Sequence, residues 1–406
     1  MVNWNYIELG EITRQISEKN KDGLVEDVVS VTKYTGIVDS SDYFNAQVYS
    51  KDLNGYKIIK RNQFAYATIH LNEGSIGYLK HRDIACLSPM YTVFELDNSK
   101  MLNEFLFLLL KSEVYINLYK SMGNGSINRR ISIGYKEFAK ILVPNISLKE
   151  QQKIIDVIGK TERHIHNIEQ QINKTTELKK ALVKKLLTEG IGHVEFKESD
   201  VGHIPAEWES INVEDVSERV CVGYVGSCNK DYTDPNNGVK MIRTTNLSVD
   251  KILENDMKYI SYDFHKKNKK SQLKKNDVLI ARHGDNGKAC IYDTDDEANC
   301  LNIVIIRPNQ KLVNSHFLKE SINAENVTKQ INLRTVGSVQ NVLNTKTIAD
   351  LKIAVPPLEE QIKISKVLNE VDLITAQYIH QKLDYTQLKD GLMQQLLTGK
   401  IRVKVD

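Results

Sequence analysis

Apolar residues recur at intervals of four and three in two long stretches of the chain, a spacing typical of helices that pack along a seam. In the later stretch the predicted seam is Val367, Val371, Ile374, Tyr378, Gln381, Tyr385, Leu388, Leu392 and Gln395. In the earlier stretch it is Ile158, Thr161, Ile165, Ile168, Ile172 and Thr175, followed by a shift of phase to Leu178, Leu182 and Leu186. A proline precedes each stretch and none interrupts it. The pattern therefore predicts two helices of about 40 residues, each roughly 60 Å long.

The two stretches are copies of one sequence unit. Residues 148–191 align without a gap on residues 358–401 at an offset of 210, and 15 of the 44 pairs are identical. Both copies open on Leu-X-Glu-Gln and close on Leu-Leu-Thr. A duplicated unit indicates a molecule with two similar halves. We expect the two helices to pair antiparallel in a pseudo-twofold arrangement, and pairing between two whole chains is the alternative.

The rest of the chain mixes strand and helix patterns. The segment Asn62-Gln63-Phe64-Ala65-Tyr66-Ala67 matches Asn276-Asp277-Val278-Leu279-Ile280-Ala281, and both predict a strand that leaves a turn. Short helices are predicted at 104–119 and 316–331. The predicted fold class is α+β, with two mixed α/β domains separated by two long helices. The predicted boundaries are 1–147 for the first domain, 148–190 for the first helix, 191–357 for a linker with the second domain, and 358–400 for the second helix.

Composition excludes few classes of protein. Hydrophobic content is 41%, charged content is 26% and the net charge is +3, all ordinary for a globular protein. No apolar run is long enough to span a bilayer and no signal peptide is visible, so we expect a cytoplasmic protein. The five cysteines lack CxxC pairing and are expected to be buried thiols. Local charge is more informative than the sum, because six lysines fall within 266–275 and Arg129-Arg130 follows a glycine-rich segment.

No catalytic motif stands out. The chain contains neither a GxxxxGK[ST] phosphate loop nor an HExxH or paired CxxC metal motif. The segment Asp234-Pro235-Asn236-Asn237 lacks the second proline and the aromatic residue of an adenine-methyltransferase motif. These observations favour a binding protein that holds no metal. A stand-alone methyltransferase or nuclease with unrecognised motifs, and a coiled-coil scaffold without DNA function, are the alternatives.

With these features the chain resembles the specificity (S) subunit of type I restriction-modification enzymes. The resemblance covers essentially the whole chain. It is carried by the two proline-led helices, by the Leu-Leu-Thr endings and by the linker Val201-Gly202-His203-Ile204-Pro205-Ala206-Glu207-Trp208-Glu209. Weaker phrases in the two domains, such as Met241-Ile242-Arg243-Thr244-Thr245-Asn246, resemble target-recognition domain sequence.

The resemblance implies a non-catalytic DNA reader. Each of two target-recognition domains would read half of a split, asymmetric double-stranded site, and the helices would act as spacer and docking surface. Two modification (M) subunits would carry S-adenosylmethionine and methylate adenine N6. Two restriction (R) subunits would add ATP-driven translocation and cleavage, so that S-adenosylmethionine, ATP and Mg are expected on the partners and no cofactor on this chain.

Candidate DNA contacts follow from the chemistry of major-groove readout, in which Arg or Lys suits guanine and Asn or Gln suits adenine. In the first domain the candidates are Lys33, Tyr34, His70, Asn72, Asn124, Ser126, Asn128 and Arg129. In the second they are Arg243, Thr244, Asn246, Arg282, His283, Arg334, Ser338 and Gln340. The candidate phosphate contacts are Lys266, Lys267, Lys269 and Lys270. The candidate contacts to the M subunits, near the starts of the two helices, are Glu150, Gln151, Lys153, Gln361 and Lys363, which could equally be residues that favour a helix start.

Overall fold

The computed structural model describes residues 4–44, 49–122, 132–248, 251–282, 288–335 and 343–404, and the chain divides into two compact units. The first unit combines Met1–Glu169 with His380–Asp406, and the second is Gln170–Ile379. Each unit therefore contains one mixed domain and parts of both long helices. Each long helix is thus divided between the two compact units.

The first mixed domain is built from short strands and helices. Its strands are β1 (Asn5–Glu8), β2 (Thr13–Ile16), β3 (Val29–Thr32), β4 (Gly36–Asp39), β5 (Lys57–Lys60), β6 (Phe64–Ala67), β7 (Ile76–Tyr78), β8 (Ile84–Leu87), β9 (Tyr91–Leu96) and β10 (Leu142–Asn145). Its helices are α1 (Ser40–Tyr43), α2 (Asn103–Lys111), α3 (Glu113–Met122) and α4 (Tyr135–Phe138), and the first long helix is α5 (Leu148–Leu186).

The second mixed domain follows a linker hairpin. Its strands, with the hairpin first, are β11 (Phe196–Ser199), β12 (Gly202–Pro205), β13 (Glu209–Asn212), β14 (Ser217–Val222), β15 (Tyr232–Thr233), β16 (Gly238–Arg243), β17 (Lys258–Ser261), β18 (Asp277–Ala281), β19 (Ala289–Tyr292), β20 (Ala298–Leu301), β21 (Ile303–Pro308) and β22 (Lys352–Val355). Its helices are α6 (Tyr262–Lys267), α7 (Ser315–Asn323), α8 (Glu325–Thr335) and α9 (Thr345–Ala349), and the second long helix is α10 (Leu358–Leu396).

Both long helices are confirmed, and each spans 39 residues. They end at Leu186 and Leu396, four residues before the predicted ends. The turns that follow contain Gly190 at φ +67° and Gly399 at φ +70°, and a left-handed residue cannot continue a right-handed helix. The helix ends are buried in the domain cores: Leu396 and Leu397 join the first core, and Leu186 and Leu187 join the second.

Within the first unit, the two long helices pack antiparallel. Glu162 pairs with Lys389 at 3.4 Å, and Glu169 pairs with Lys382 at 2.9 Å, so that residue numbers rise on one helix as they fall on the other. The ring of His164 stacks on Tyr385 with a centroid separation of 5.4 Å. In the second unit, Lys179 of α5 pairs with Asp372 of α10 at 2.6 Å.

The predicted seam is partly wrong. Val371, Tyr378, Tyr385 and Leu392 lie on the inner face of α10 as expected, whereas Val367, Ile374 and Gln381 are exposed, and so is Leu388, at 50%. The inner position beside it is Lys389, and on α5 it is likewise Lys179 and not Leu178 that faces inward. The physical reason is that each lysine reaches an acidic residue of the other helix, and these ion pairs fill the seam where an apolar side chain was expected.

The two mixed domains share one scaffold. The four-stranded sheets have the orders β2-β9-β6-β7 and β14-β21-β18-β19, with every neighbouring pair antiparallel. A separate pair, β1-β10 or β13-β22, brings the ends of each domain together. Asn62 and Asn276 precede β6 and β18 at φ +68° and +71°, so the predicted turns are confirmed. The shared topology extends well beyond the weak echoes visible in the sequence.

The domains differ beside this scaffold. The first domain adds the two-stranded sheets β3-β4 and β5-β8, and the second adds the mixed sheet β15-β17-β16-β20, in which β16 and β20 are parallel. The helices predicted at 104–119 and 316–331 are each two helices. The breaks fall at Ser112 and Ala324, whose backbones are extended (ψ 154° and 152°).

Candidate nucleic-acid interface

Two loops that carry candidate residues of the first domain lie together. Lys33 and Tyr34 occupy the turn between β3 and β4, and His70 and Asn72 occupy the turn after β6. The amine of the half-buried Lys111 donates hydrogen bonds to the carbonyl oxygens of Lys33 and Gly74, the latter at 2.8 Å, and so holds the two loops together. Burial lowers the pKa of Lys111 to about 8.

The exposure of these loops suits contact with a large ligand. Lys33, Tyr34 and His70 are exposed, Asn72 is half-buried, and the amine of Lys33 lies 5.3 Å from the centre of the Tyr34 ring. Glycine permits the close packing underneath, because a Cβ at Gly77 would lie 2.7 Å from the backbone nitrogen of Ile37. The structure thus brings four candidates to one surface, and their contact with DNA stays a prediction.

Seven candidates lie outside the described residues. They are Asn124, Ser126, Asn128, Arg129, His283, Ser338 and Gln340.

Asn246 has a structural role that the sequence did not indicate. Its side chain is fully buried, accepts a hydrogen bond from the Arg243 amide at 3.1 Å and donates to the carbonyl oxygens of Leu253 and Asn255, both at 3.1 Å. This side chain therefore holds the loop after β16 and has no surface to present to a base. The prediction that Asn246 reads a base is therefore wrong, because its side chain is buried.

The neighbouring candidates Arg243 and Thr244 are half-buried. Nη2 of Arg243 donates to the Asp256 carboxylate at 3.0 Å. Part of the guanidinium is therefore bound to the same loop that Asn246 stabilises. Its Nε is buried without a hydrogen-bond partner among the described residues.

Two arginines of the second domain meet around the start of α9. Nε of Arg282, just after β18, donates to the carbonyl oxygen of Leu343 at 2.9 Å. Nη1 of Arg334, near the end of α8, donates to the carbonyl oxygen of Thr347 at 3.2 Å. These candidates, which are 52 positions apart in the sequence, are therefore attached to the same short segment.

The four candidate phosphate contacts are exposed and lie on a rigid support. Nδ1 of His265 lies 2.5 Å from Oδ1 of Asn299, and the Asn299 amide donates to the Ser271 hydroxyl at 2.6 Å. Gln272 donates to the carbonyl oxygen of His265 at 2.7 Å. This buried polar network, which the sequence analysis missed, fixes the backbone that carries Lys266, Lys267, Lys269 and Lys270.

Gln151 connects the first domain to its long helix and does not lie on an exposed face. Its amide oxygen accepts from the backbone nitrogen of Leu102 at 2.7 Å, where α2 begins. Its amide nitrogen donates to the carbonyl oxygens of Lys100 at 3.0 Å and Ile146 at 2.9 Å. All of these partners belong to the chain itself.

Gln361, the counterpart of Gln151 in the repeat, makes the same set of contacts in the second unit. Its oxygen accepts from the backbone nitrogen of Asn314 at 2.8 Å, where α7 begins. Its nitrogen donates to the carbonyl oxygens of Leu312 at 3.0 Å and Pro356 at 2.8 Å. The repeated Gln thus fastens each domain to the long helix that follows it.

Glu150 is also buried, and its carboxylate accepts from Nε of Arg402 at 2.7 Å. The expectation that Glu150, Gln151 and Gln361 form an exposed docking face is therefore wrong. These side chains are buried and form their hydrogen bonds with residues of the chain itself. Lys153 and Lys363 are exposed, and docking at these two positions stays a prediction.

A family model described as the type I restriction modification DNA specificity domain matches residues 1–178 and 205–385. The chain belongs to this family. It is a non-catalytic subunit for DNA sequence recognition in a type I restriction-modification system. Each match contains one mixed domain with its antiparallel sheet, in agreement with the duplicated scaffold.

The curated relatives that match this chain are specificity subunits of type I restriction enzymes. The MjaVIII specificity subunit of Methanocaldococcus jannaschii is 27% identical over 414 residues, which cover 99% of this chain and 93% of the relative. The HindI specificity subunit of Haemophilus influenzae is 30% identical over 182 residues, covering 44% of this chain and 39% of the relative.

Solved structures show the same fold. A chain from a study of complex assembly and conformational transition of the type I R-M system has a TM-score of 0.60 at 14% identity, with 97% of each chain covered. The HsdS subunit from Thermoanaerobacter tengcongensis has a TM-score of 0.50 at 14% identity, with 98% of this chain and 97% of that chain covered. Among the described helices of the present chain, none is long and apolar enough to cross a membrane.

Proposed function

We propose that this specificity subunit binds a bipartite, asymmetric double-stranded DNA site and positions two M subunits for methylation of adenine N6. The observation that carries the proposal is the duplicated scaffold with different additions. Both domains present the same four-stranded sheet, which predicts the same manner of docking, whereas the adjoining sheets and loops differ. Different loops present different donors and acceptors to base edges, so the two half-sites should differ in sequence.

The long helices provide the spacer in this proposal. Proteins that read two half-sites fix the separation of their reading elements, so the number of bases between the half-sites is constant although no side chain contacts them. Two R subunits join the same complex and cleave unmodified DNA. S-adenosylmethionine belongs to the M subunits, ATP and Mg belong to the partner subunits, and this chain contributes no cofactor.

The test is a genome-wide map of N6-methyladenine. The chain is co-expressed with the M subunit of the same system in cells that lack adenine methylation, and each subunit alone serves as a control. We expect methylation in one split motif with two different halves and a constant gap, and only when both subunits are present. Methylation at a palindromic motif would contradict the prediction that the two half-sites differ in sequence. Methylation produced by this chain alone would support the alternative of a stand-alone methyltransferase.

A further inference from the structure

A cavity of about 340 Å³ lies in the first domain. Its walls include the start of β3, the turn after β6 and the turn between β8 and β9. Two of its lining residues are exposed, since the side chain of His70 is 54% exposed and Met90 is 63% exposed, so the cavity is open to solvent. Its volume is within the range of about 300–1,000 Å³ typical of sites for small organic ligands. A double helix is far too large to enter it.

The lining combines aromatic rings with hydroxyl groups. Tyr49 and Tyr91 are lining residues with rings, and Thr68 and Ser88 are lining residues with hydroxyls. Among the described lining residues, none carries a carboxylate. Aromatic rings stack on the flat faces of bases, and a hydroxyl can donate to or accept from the polar edge of a base. The lining therefore suits a flat, uncharged ring with polar edges.

The wall that contains Tyr91 is fixed before any ligand binds. The Tyr91 amide donates to the carbonyl oxygen of Ser88 at 3.1 Å, which closes the turn between β8 and β9. The Tyr91 carbonyl oxygen accepts from the amine of Lys57 on β5 at 2.5 Å. The side chain is half-buried and packs against the core cluster that includes Val29 and Val93. A ring held in this way loses little conformational freedom when it stacks on a ligand.

The cavity lies at a corner that both domains share. The carbonyl oxygen of Thr68, a lining residue, accepts from the amide of Ile133 at 3.0 Å. In the second domain the carbonyl oxygen of Arg282 accepts from the amide of Leu343 at 3.2 Å. The two acceptors follow β6 and β18, which occupy the same place in the shared strand order. The candidate base readers His70 and Arg282 therefore belong to equivalent corners of the two domains, and the cavity is part of the first corner.

We propose that this cavity receives one base that is taken out of the stack in the first half-site. The inference rests on the proposed function and deepens it, because it names an extruded base as a ligand of this chain. Extrusion costs pairing and stacking energy, and stacking on Tyr91 offsets part of that cost. The hydroxyl of Thr68 is available for the edge of the base. This base differs from the methylated adenine, which must enter the catalytic pocket of an M subunit.

The test measures the affinity of the complete complex with its M subunits for duplexes that each carry one mismatch. At each position of the first half-site, on each strand in turn, the opposite base is changed and the base itself is kept. Extrusion costs least for a mismatched base, so one position besides the methylated adenine should bind about fivefold or more tightly than in the matched duplex. At positions that are read within the duplex, a mismatch should weaken binding or leave it unchanged.

Variants connect this gain in affinity to the cavity. Tyr91→Leu removes the ring but keeps an apolar side chain against the core, and it should abolish the gain. Tyr91→Phe keeps the ring and should keep the gain, as should Tyr6→Leu, a control at a half-exposed tyrosine of β1 outside the cavity. Met90→Ala, at an exposed lining position, should reduce the gain without lowering the melting temperature of the complex. The gain at the methylated adenine should be the same in all variants.

The outcomes separate this inference from the proposed function. A gain at the methylated adenine alone, or a second gain that persists in Tyr91→Leu and Met90→Ala, would overturn the inference and leave the proposed function standing. Thermal stabilisation of the DNA-free complex by thymidine or adenosine that Tyr91→Leu abolishes, without a second gain on mismatched DNA, would assign the cavity to free nucleosides and also overturn it. If the parent complex does not bind the motif selectively, the proposed function fails together with the inference.

Discussion

Asn246 makes three hydrogen bonds to backbone groups in the loop after β16. Replacing Asn246 measures how much these hydrogen bonds contribute to the free energy of unfolding. Asn246→Ala leaves those buried groups without partners, and we expect a loss of about 2–4 kcal/mol in the free energy of unfolding. Thr245→Ala, at the exposed neighbouring position, should change stability by less than about 0.5 kcal/mol. Denaturant unfolding of both variants measures the difference, and equal stabilities would contradict the structural role.

Lys111 gives the first unit a defined response to pH. The pKa of its amine is about 8 in the folded protein and 10.5 in its ordinary range. Between these pH values the unfolded chain binds more protons at Lys111 than the folded chain does. The contribution of Lys111 to the free energy of unfolding therefore rises with pH. Comparison of the parent with Lys111→Met over pH 7–10.5 should show a steeper rise in the parent.

The control for this comparison is Lys120→Met, an exposed position on α3, which should follow the parent. A Lys111→Met variant whose stability depends on pH as the parent's does would show that the Lys111 amine does not titrate in this window.

At the scale of single elements, Lys179 and Lys389 occupy equivalent positions of the repeat in different surroundings. Lys179 pairs with Asp372 and also lies 3.5 Å from the buried carboxylate of Glu320, whereas Lys389 pairs with the more exposed Glu162. We expect Lys179→Met to cost about 1–3 kcal/mol of stability and Lys389→Met less than about 1 kcal/mol. Denaturant unfolding measures both, and a larger cost for Lys389→Met would contradict this ranking.

The acid response of the same pair provides a second readout. Burial raises the pKa of Asp372, and the charge of Lys179 opposes that rise. Without the lysine the carboxyl group should take up a proton at higher pH, which removes the uncompensated charge. The cost of Lys179→Met should therefore shrink as the pH falls from 7 toward 4, and a cost that is independent of pH would show that Asp372 is not affected.

These two lysines also show what the sequence could predict about the elements. The existence, the approximate length and the pairing of the long helices follow from periodicity and from the repeat. The face of each helix was partly misassigned, because apolar periodicity selects Leu178 and Leu388, which are each 50% exposed. An ion pair that fills a seam has no hydrophobic signature, so its position became visible only with both helices in place.

At the scale of the whole molecule, the duplication is deeper than the sequence indicates. The sheets share their strand order although their residues differ, because strand pairing is set by backbone geometry and only loosely by residue identity. For the candidate interface, residue chemistry selected lysines and several loop residues that are exposed in the structure, and their contact with DNA stays a prediction. It could not distinguish Asn246 from a base reader, since an amide suits a buried loop as well as an adenine edge. Residue chemistry also could not show that Gln151 and Gln361 are buried and so do not belong to an exposed docking surface.

The length of the long helices should set the gap between the half-sites. Within the second unit, the pair Lys179–Asp372 indicates an antiparallel register in which 175–176 lies opposite 375–376. Inserting seven residues at both positions adds one heptad to each helix, keeps the seam in phase and lengthens each helix by about 10.5 Å. At about 3.4 Å per base pair, we expect the gap in the methylation motif to grow by about three base pairs while both half-sites stay the same.

Seven residues inserted between Asp200 and Val201, in the turn of the linker hairpin, should leave the gap unchanged, because they lengthen neither helix. Methylation maps of the two insertion variants provide the comparison. A motif with its original gap after the paired helix insertion would show that the helices do not determine the spacing. A changed half-site would show that the inserted heptad alters how a domain meets its bases, and would place part of the sequence recognition outside the two mixed domains.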